Sequence, residues 1–266
     1  MSALPPLHPL ADAVRNDRIA YGWFVLEFAS RAMPWLTKQA GLDFLMYDCE
    51  HGNLGRAEVR DGVLACRALG VTPMVRVPAG NRWDISPALD MGAQAILLPL
   101  AETAEQVQAA IDVAKYSPEG SRGAAFGLPH DLYETHRSAA ETMAEANRQV
   151  MVVPLIETVK GVENADEICA LPGVEVAWVG PVDLTQSLGR PNDFENPAYD
   201  EAMKTIGAAA KKHGVKPALM INSVEGGMRW FESGYEVFAC CADIWLLQHR
   251  LLELSSQFRA AVEAAG

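Results

Sequence analysis

Met151-Val152-Val153-Pro154-Leu155-Ile156-Glu157-Thr158, read with Val176-Ala177-Trp178-Val179-Gly180-Pro181-Val182-Asp183 further along, decides the fold. Each stretch is a short apolar run that stops at a turn and an acid. Neither alternates polar with apolar residues, as a strand with one wet face would. Uninterrupted apolarity over so few residues marks a parallel strand buried on both faces.

The same signature recurs outward along the chain. It places strands at residues 22–26, 44–47, 72–77, 95–98, 151–156, 176–179, 216–220 and 237–240. Helical patterns occupy 29–40, 56–69, 85–91, 104–115, 162–170, 199–213 and 224–232, and a last helix covers 243–264. Eight strands, each followed by a helix, predict an α/β fold of the (β/α)8 or TIM-barrel type. A doubly wound sheet competes with it, but that fold needs fewer strands and usually opens on a Gly-rich turn, and no G-x-G-x-x-G is present. Gly41, Gly70 and Gly214 follow three of the helices, where a glycine accepts positive φ. Residues 1–266 are expected to form one domain, a length that suits a single barrel. One segment, 117–147, is too long for a simple βα loop: it holds Pro118, Gly120, Gly123, Gly127 and Pro129, then a polar helix. Such excursions serve as lids, as subunit contacts or as plain surface.

Composition narrows the function. The 22 Lys and Arg against 34 Asp and Glu leave a net charge of −12, which disfavours nucleic acid and anionic membranes as partners. An anionic small molecule stays compatible, because one metal ion and one arginine reverse the local field. The five cysteines, Cys49, Cys66, Cys169, Cys240 and Cys241, form no C-x-x-C pair and read as free thiols. No run approaches the ~18 apolar residues of a membrane span. Met-Ser-Ala-Leu-Pro-Pro lacks the pattern of a signal peptide. A cytoplasmic location is expected.

In a barrel of this type the active site lies at the carboxyl ends of the strands. Charged residues appear where four apolar strands stop. Glu157 and Asp183 end consecutive strands, and neighbouring strands are ~4.8 Å apart, so both carboxylates can reach one cation. Hard oxygen donors suit Mg²⁺ or Mn²⁺, with Co²⁺ and Zn²⁺ as alternatives. The bland alternative is a pair of capping or salt-bridging acids. Asp48-Cys49-Glu50-His51 ends the second strand, and His51 is a natural general base near neutral pH, or a solvated loop histidine. Arg76, inside Met74-Val75-Arg76-Val77-Pro78, is costly in an apolar strand unless it faces a site or an anion. It suits stabilisation of an enolate oxygen, or an ion pair with an acid such as Asp48. Asp90, in Asp90-Met91-Gly92-Ala93, reads from spacing alone as an exposed helix-end acid. None of the lysines stands at the carboxyl end of a strand, and only Lys216 is near one, at its start. A Schiff-base mechanism is therefore not expected.

Taken together, Asp48-Cys49-Glu50-His51, Pro73-Met74-Val75-Arg76-Val77-Pro78, Asp90-Met91-Gly92-Ala93-Gln94, Tyr116-Ser117-Pro118-Glu119-Gly120-Ser121-Arg122-Gly123, Ile156-Glu157-Thr158 and Gly180-Pro181-Val182-Asp183-Leu184 resemble the HpcH/HpaI aldolase family. These are class II pyruvate aldolases, among them 2-keto-3-deoxy-acid aldolases and macrophomate synthase. The resemblance runs from about residue 20 to about residue 250. It implies that Glu157 and Asp183 hold a divalent metal, that His51 is the base and that Arg76 stabilises the enolate. It further implies that Asp90 raises the basicity of the active-site histidine, and that the backbone through Gly180, Pro181 and Val182 binds the carboxylate of a 2-oxo acid. Hexamers that exchange their last helix are implied as well. Two positions stand apart. Leu155 occupies the place where many relatives carry a Gln that touches the oxo acid, and Trp23 on the first strand is either a residue packed over the ligand or core.

The function so implied is a metal-dependent lyase that makes or breaks a C–C bond between a pyruvate-type enolate and an aldehyde. Its substrates are expected to be unphosphorylated 4-hydroxy-2-oxo acids, because no Gly-rich phosphate loop follows strands seven or eight. A citramalyl-CoA-type lyase is one alternative, though the acidic chain offers few cations for CoA phosphates. Oxaloacetate decarboxylation, through the same enolate, is another. A non-catalytic barrel that serves as a binding protein is the alternative of a different class, and the assembled acids, base and arginine argue against it.

Overall fold

A computed structural model describes residues 6–265. Met-Ser-Ala-Leu-Pro, read above for a signal sequence, lies outside the described residues. The strands are β1 (Ala20–Val25), β2 (Phe44–Asp48), β3 (Thr72–Arg76), β4 (Ala95–Leu98), β5 (Met151–Ile156), β6 (Val176–Val179), β7 (Lys216–Ile221) and β8 (Val237–Ala242). All pair in parallel, in chain order, and β8 closes on β1. The expected (β/α)8 barrel is the fold.

The helices are α1 (Pro9–Arg15), α2 (Met33–Gln39), α3 (Arg56–Leu69), α4 (Arg82–Asp90), α5 (Ala104–Ala114), α6 (Ala139–Gln149), α7 (Val159–Glu163), α8 (Ala165–Cys169), α9 (Pro181–Ser187), α10 (Pro197–His213), α11 (Val224–Glu232) and α12 (Asp243–Ala265). Several differ from expectation, α2 among them, which begins at Met33 rather than at residue 29. The helix expected over 162–170 divides at Asn164 into α7 and α8. The one expected from residue 85 begins at Arg82, because the Asn81 side chain accepts from the Trp83 and Asp84 N–H groups. The short α9 at the end of β6 was not expected.

The strands are apolar throughout because they alternate between two dry layers. Met46, Met74, Leu97, Val153 and Trp178 fill the barrel interior. Leu45, Val75, Ile96, Val152 and Val179 face the surrounding helices. Full burial of each such side chain is worth about 1.5–3 kcal/mol, so a polar residue in either layer is costly.

Unforeseen in the sequence, α1 closes the amino-terminal end of the barrel, where Leu10, Ala11, Ala13 and Val14 join the interior cluster. His8 caps it: Nδ1 accepts from the Ala11 N–H and Nε2 donates to the Gln149 carbonyl at 2.9 Å. Burial holds the His8 pKa down at about 3, so the ring stays neutral. The long segment after α5 carries a 3-10 turn (Pro129–Asp131) and then α6. It is tied down at this same end. Asn147 accepts from the Tyr116 N–H at 2.7 Å and donates to its carbonyl at 2.9 Å. Lys115 Nζ donates to the Val150 carbonyl at 2.6 Å. Among the described residues no helix is long and apolar enough to cross a membrane.

Candidate active site

The barrel brings the carboxyl ends of β2, β3, β5 and β6 to one rim. Asp48 and Arg76 are register partners on β2 and β3. The Asp48 carboxylate is fully buried. It accepts from Arg76 Nε at 2.9 Å and also from Arg76 Nη2. Its Oδ1 further accepts from the backbone N–H groups of Glu50 and His51 at 3.0 and 3.1 Å. Asp48 thus orients Arg76 and shapes the turn that follows β2. The ion pair weighed from the sequence is present, and Arg76 reaches past it: Nη1 lies 3.2 Å from Glu50 Oε2.

Glu157 follows β5 and is 3% exposed. Its Oε1 accepts from the Leu100 N–H at 2.8 Å. Leu100 has φ +50°, an uncommon conformation for leucine that turns its amide toward the carboxylate. Burial, with the nearby charges of Asp183 and Glu50, pushes the Glu157 carboxyl up to about 7, against the pull of the Leu100 amide and of Arg76. Glu50 is raised too, first by burial and then by Asp48 and Asp183. Asp183 sits in the first turn of α9. Gly180 caps that helix, and a Cβ there would stand 2.4 Å from Glu157 Oε2. Only a glycine lets β6 pass the seated carboxylate.

The rim thus brings Glu50, Glu157, Asp183 and Arg76 close enough for their charges to interact. Glu50 lay inside a quoted motif without being singled out as a site residue; its place two residues beyond Asp48, in a tight turn, was the available signal. Leu100 carried no signal, since nothing in Leu98-Pro99-Leu100-Ala101 announces a left-handed residue.

His51 stands at the mouth, its side chain 58% exposed, with Nε2 4.0 Å from Glu50 Oε2. Val182 is exposed beside Pro181 at the start of α9. Leu155 is buried in the barrel interior with Phe24, Leu97 and Trp178. Trp23 does not cover the site. Strand alternation turns it outward, where Nε1 donates to Thr37 on α2 at 2.7 Å. The aromatic on the inner side is its neighbour Phe24, 5.8 Å from the Arg76 guanidinium and edge-on to Trp178. Asp90 is also displaced from the expected place. It ends α4, which returns the chain to the amino-terminal end of the barrel, and it holds Arg122 at 2.8 Å. Within one chain it does not meet His51. Lys216 starts β7 and pairs with Asp17 and Glu236 at 2.8 and 2.7 Å, away from the rim.

The buried Glu157 is raised by its surroundings even with Arg76 nearby, and a divalent cation would supply further counter-charge. Among the described residues no cluster of three or more His, Cys, Asp or Glu side chains is arranged to hold an ion. The donor set on offer is the oxygen pair of Glu157 and Asp183, which fits a hard cation that keeps other ligands.

Fold and rim define a barrel enzyme whose polar groups converge at the carboxyl ends of its strands. The chain belongs to the HpcH/HpaI aldolase/citrate lyase family, whose model matches residues 22–247. It is 29% identical over 248 residues to a hydroxypyruvate/pyruvate aldolase of Paraburkholderia phytofirmans, covering 91% of this chain and 94% of that one. It is 31% identical over 221 residues to a 5-keto-4-deoxy-D-glucarate aldolase of Klebsiella pneumoniae, covering 83% and 85%. Its structure is similar to that of a family member from Burkholderia cenocepacia, with a TM-score of 0.86, 31% identity and coverage of 94% and 98%. Membership of this family makes the chain a carbon–carbon lyase.

Proposed function

We propose that this lyase is a divalent-metal-dependent aldolase, joining or parting an aldehyde and the enolate of a pyruvate-type 2-oxo acid. The observation that carries the reading is the buried Glu157 carboxylate, raised to about 7 beside Asp183 and Glu50 and faced by Arg76. Glu157 and Asp183 would hold Mg²⁺ or Mn²⁺, which supplies Lewis-acid polarisation of the 2-oxo acid.

This chain's own residues do the rest. Arg76, aimed by Asp48, stabilises the negative charge that grows on the keto oxygen as the C3–C4 bond breaks. His51 Nε2 takes the proton of the 4-hydroxyl in cleavage and returns it in synthesis. The backbone through Gly180, Pro181 and Val182 receives the carboxylate. Phe24, Leu155 and Trp178 form a dry floor that strengthens each electrostatic contact above it. Leu155 donates no hydrogen bond, so Arg76 and the α9 turn would orient the oxo acid. The turn after β7 supports an unphosphorylated substrate, since Ser223 there is occupied in capping α11 through the Gly226 N–H.

The active form is a homo-oligomer, on the hexameric pattern of the family. In α12 only Asp243 is buried, leaving Leu246, Leu251, Leu254, Phe258 and Val262 exposed along it. A second chain that covers this helix also offers a route for Asp90 to reach a neighbour's His51.

The test is a screen of pyruvate against an aldehyde panel, using protein stripped of metal and reloaded. Aldol formation that returns only with Mg²⁺ or Mn²⁺ and vanishes in Glu157→Ala is expected. Full turnover by Glu157→Ala, or by stripped protein, would overturn the reading.

A further inference from the structure

A second cavity lies at the other end of the barrel. It measures about 330 Å³ and is walled by the start of α1, the ends of α3 and α4, the 3-10 turn and α6. That volume is at the small end of ligand-binding pockets and holds far more than one water.

Its polar lining is unevenly satisfied. The Arg122 side chain is 1% exposed and that of His130 is 5% exposed. Arg122 Nε and both ring nitrogens of His130 find no hydrogen-bond partner among the described residues. The Tyr116 hydroxyl, whose ring lies against the Arg122 guanidinium at 4.7 Å, is a further orphan. Buried polar atoms are nearly always paired, so orphans gathered in one place call for an explanation. Arg67 adds a half-buried cation: its Nη1 donates to the Pro129 and His130 carbonyls, and among the described residues no carboxylate lies at ion-pair distance.

The acids of the lining are occupied. Asp131 accepts from the Gly127 and Tyr133 N–H groups and stays 3.9 Å from His130 Nε2. Glu134 holds Arg137 at 3.1 Å, and Glu145 holds Arg148 at 2.7 Å. The unmet groups thus include the Arg122 Nε donor and the one N–H donor of a His130 ring that burial pushes toward its neutral form. Leu7, Val71, Leu89, Ala93 and Val150 supply apolar wall, with Gln94, Thr142 and Gln149 among the polar lining.

The geometry points to a binding site for a small organic acid. Its carboxylate accepts from Arg122 Nε and His130, within the field of Arg67, and its short hydrocarbon body lies against Val71, Leu89 and Val150. The site lies at the opposite end of its own barrel from the catalytic rim, and at that end Asp90 holds Arg122 at 2.8 Å and leaves Nε free.

Titration calorimetry of the full chain with butyrate, acetate and inorganic phosphate tests it. Butyrate is expected to saturate one site per chain and to bind about tenfold more tightly than phosphate, a difference of about 1.4 kcal/mol. His130→Leu removes the ring donor, and Ala146→Leu fills the cavity from α6. Each should weaken butyrate by at least about tenfold and leave basal turnover unchanged. Glu157→Ala should bind butyrate as the wild type does, which separates this site from the rim. Undiminished binding in both cavity variants, a preference for phosphate, or no saturable uptake would overturn the assignment.

Discussion

Asp48 and Arg76 sit opposite one another on β2 and β3, and the buried carboxylate grips the guanidinium from the side while Nη1 reaches on to Glu50, 3.2 Å away. Removing one partner of such a pair strands the other in a dry setting, at about 3–5 kcal/mol. Asp48→Ala should therefore lower stability by about that amount, read by urea unfolding. Arg76→Lys should keep the fold but lose the two-pronged contact, and kcat/KM should fall by about 100-fold or more, a loss like that of one oxyanion donor. A Lys variant within threefold of wild type would remove Arg76 from the chemistry.

Glu157 gives stability a particular pH dependence in the cation-free protein. Its carboxyl is ordinary at 4.5 when unfolded and about 7 when folded. Between these values the native state keeps a proton that the unfolded chain has lost. The contribution is full below pH 4.5 and is lost as pH rises through about 7, amounting to about 3 kcal/mol. Unfolding in chelator across this window should show the decline, and Glu157→Gln should flatten it. Saturating Mg²⁺ should reverse the trend, since the cation favours the ionised carboxylate. Parallel profiles for Glu157→Gln and wild type would contradict this.

Gly180→Ala tests the fit between β6 and the seated acid. The backbone at Gly180 has φ −97°, which alanine adopts readily, so the fold should survive. Its methyl would stand 2.4 Å from Glu157 Oε2 and must displace it. Metal affinity should fall at least about tenfold, read by titration, with turnover falling alongside. Unchanged metal affinity would mean that the carboxylate position does not matter.

The barrel is legible in the sequence because parallel strands advertise themselves as short, unbroken apolar runs. Glu157 and Asp183 are legible for the same reason: an acid at the end of such a run has few places to go. Trp23 and Phe24 show where this reading fails. In a strand apolar on both faces, composition does not say which neighbour points inward, so the aromatic near the site was assigned one residue early. Leu100 leaves no trace, because its role belongs to a backbone amide and a positive φ. Cap chemistry explains α1, whose His8 cap is buried by residues far away in sequence.

Asp243 joins the ends of two strands at the rim. Its carboxylate, 5% exposed, accepts from the backbone N–H groups of Leu26, Glu27 and Phe28 at 3.0, 3.2 and 2.8 Å. Asp243→Ala orphans these amides together and should cost about 2–4 kcal/mol. Amide hydrogen exchange should quicken first in residues 26–28, where the lost bonds were.

Asp90 and His51 pose a question of assembly. Asp90 lies at the amino-terminal end of its barrel, paired with Arg122, and His51 lies at the carboxyl-terminal mouth. A helix-end acid cannot tune a base at the opposite end of the same barrel, so any action of Asp90 on His51 must cross between chains. Asp90→Asn and His51→Ala oligomers should each be nearly inactive. Mixed oligomers formed by co-expression should regain activity, because an intact Asp90 from one chain then meets an intact His51 of another. Activity restored to roughly a quarter of wild type is the random-mixing expectation for a site built from two independent chains. No recovery in verified mixed oligomers, or full activity of Asp90→Asn alone, would show that Asp90 serves its own chain by holding Arg122 and the segment around it.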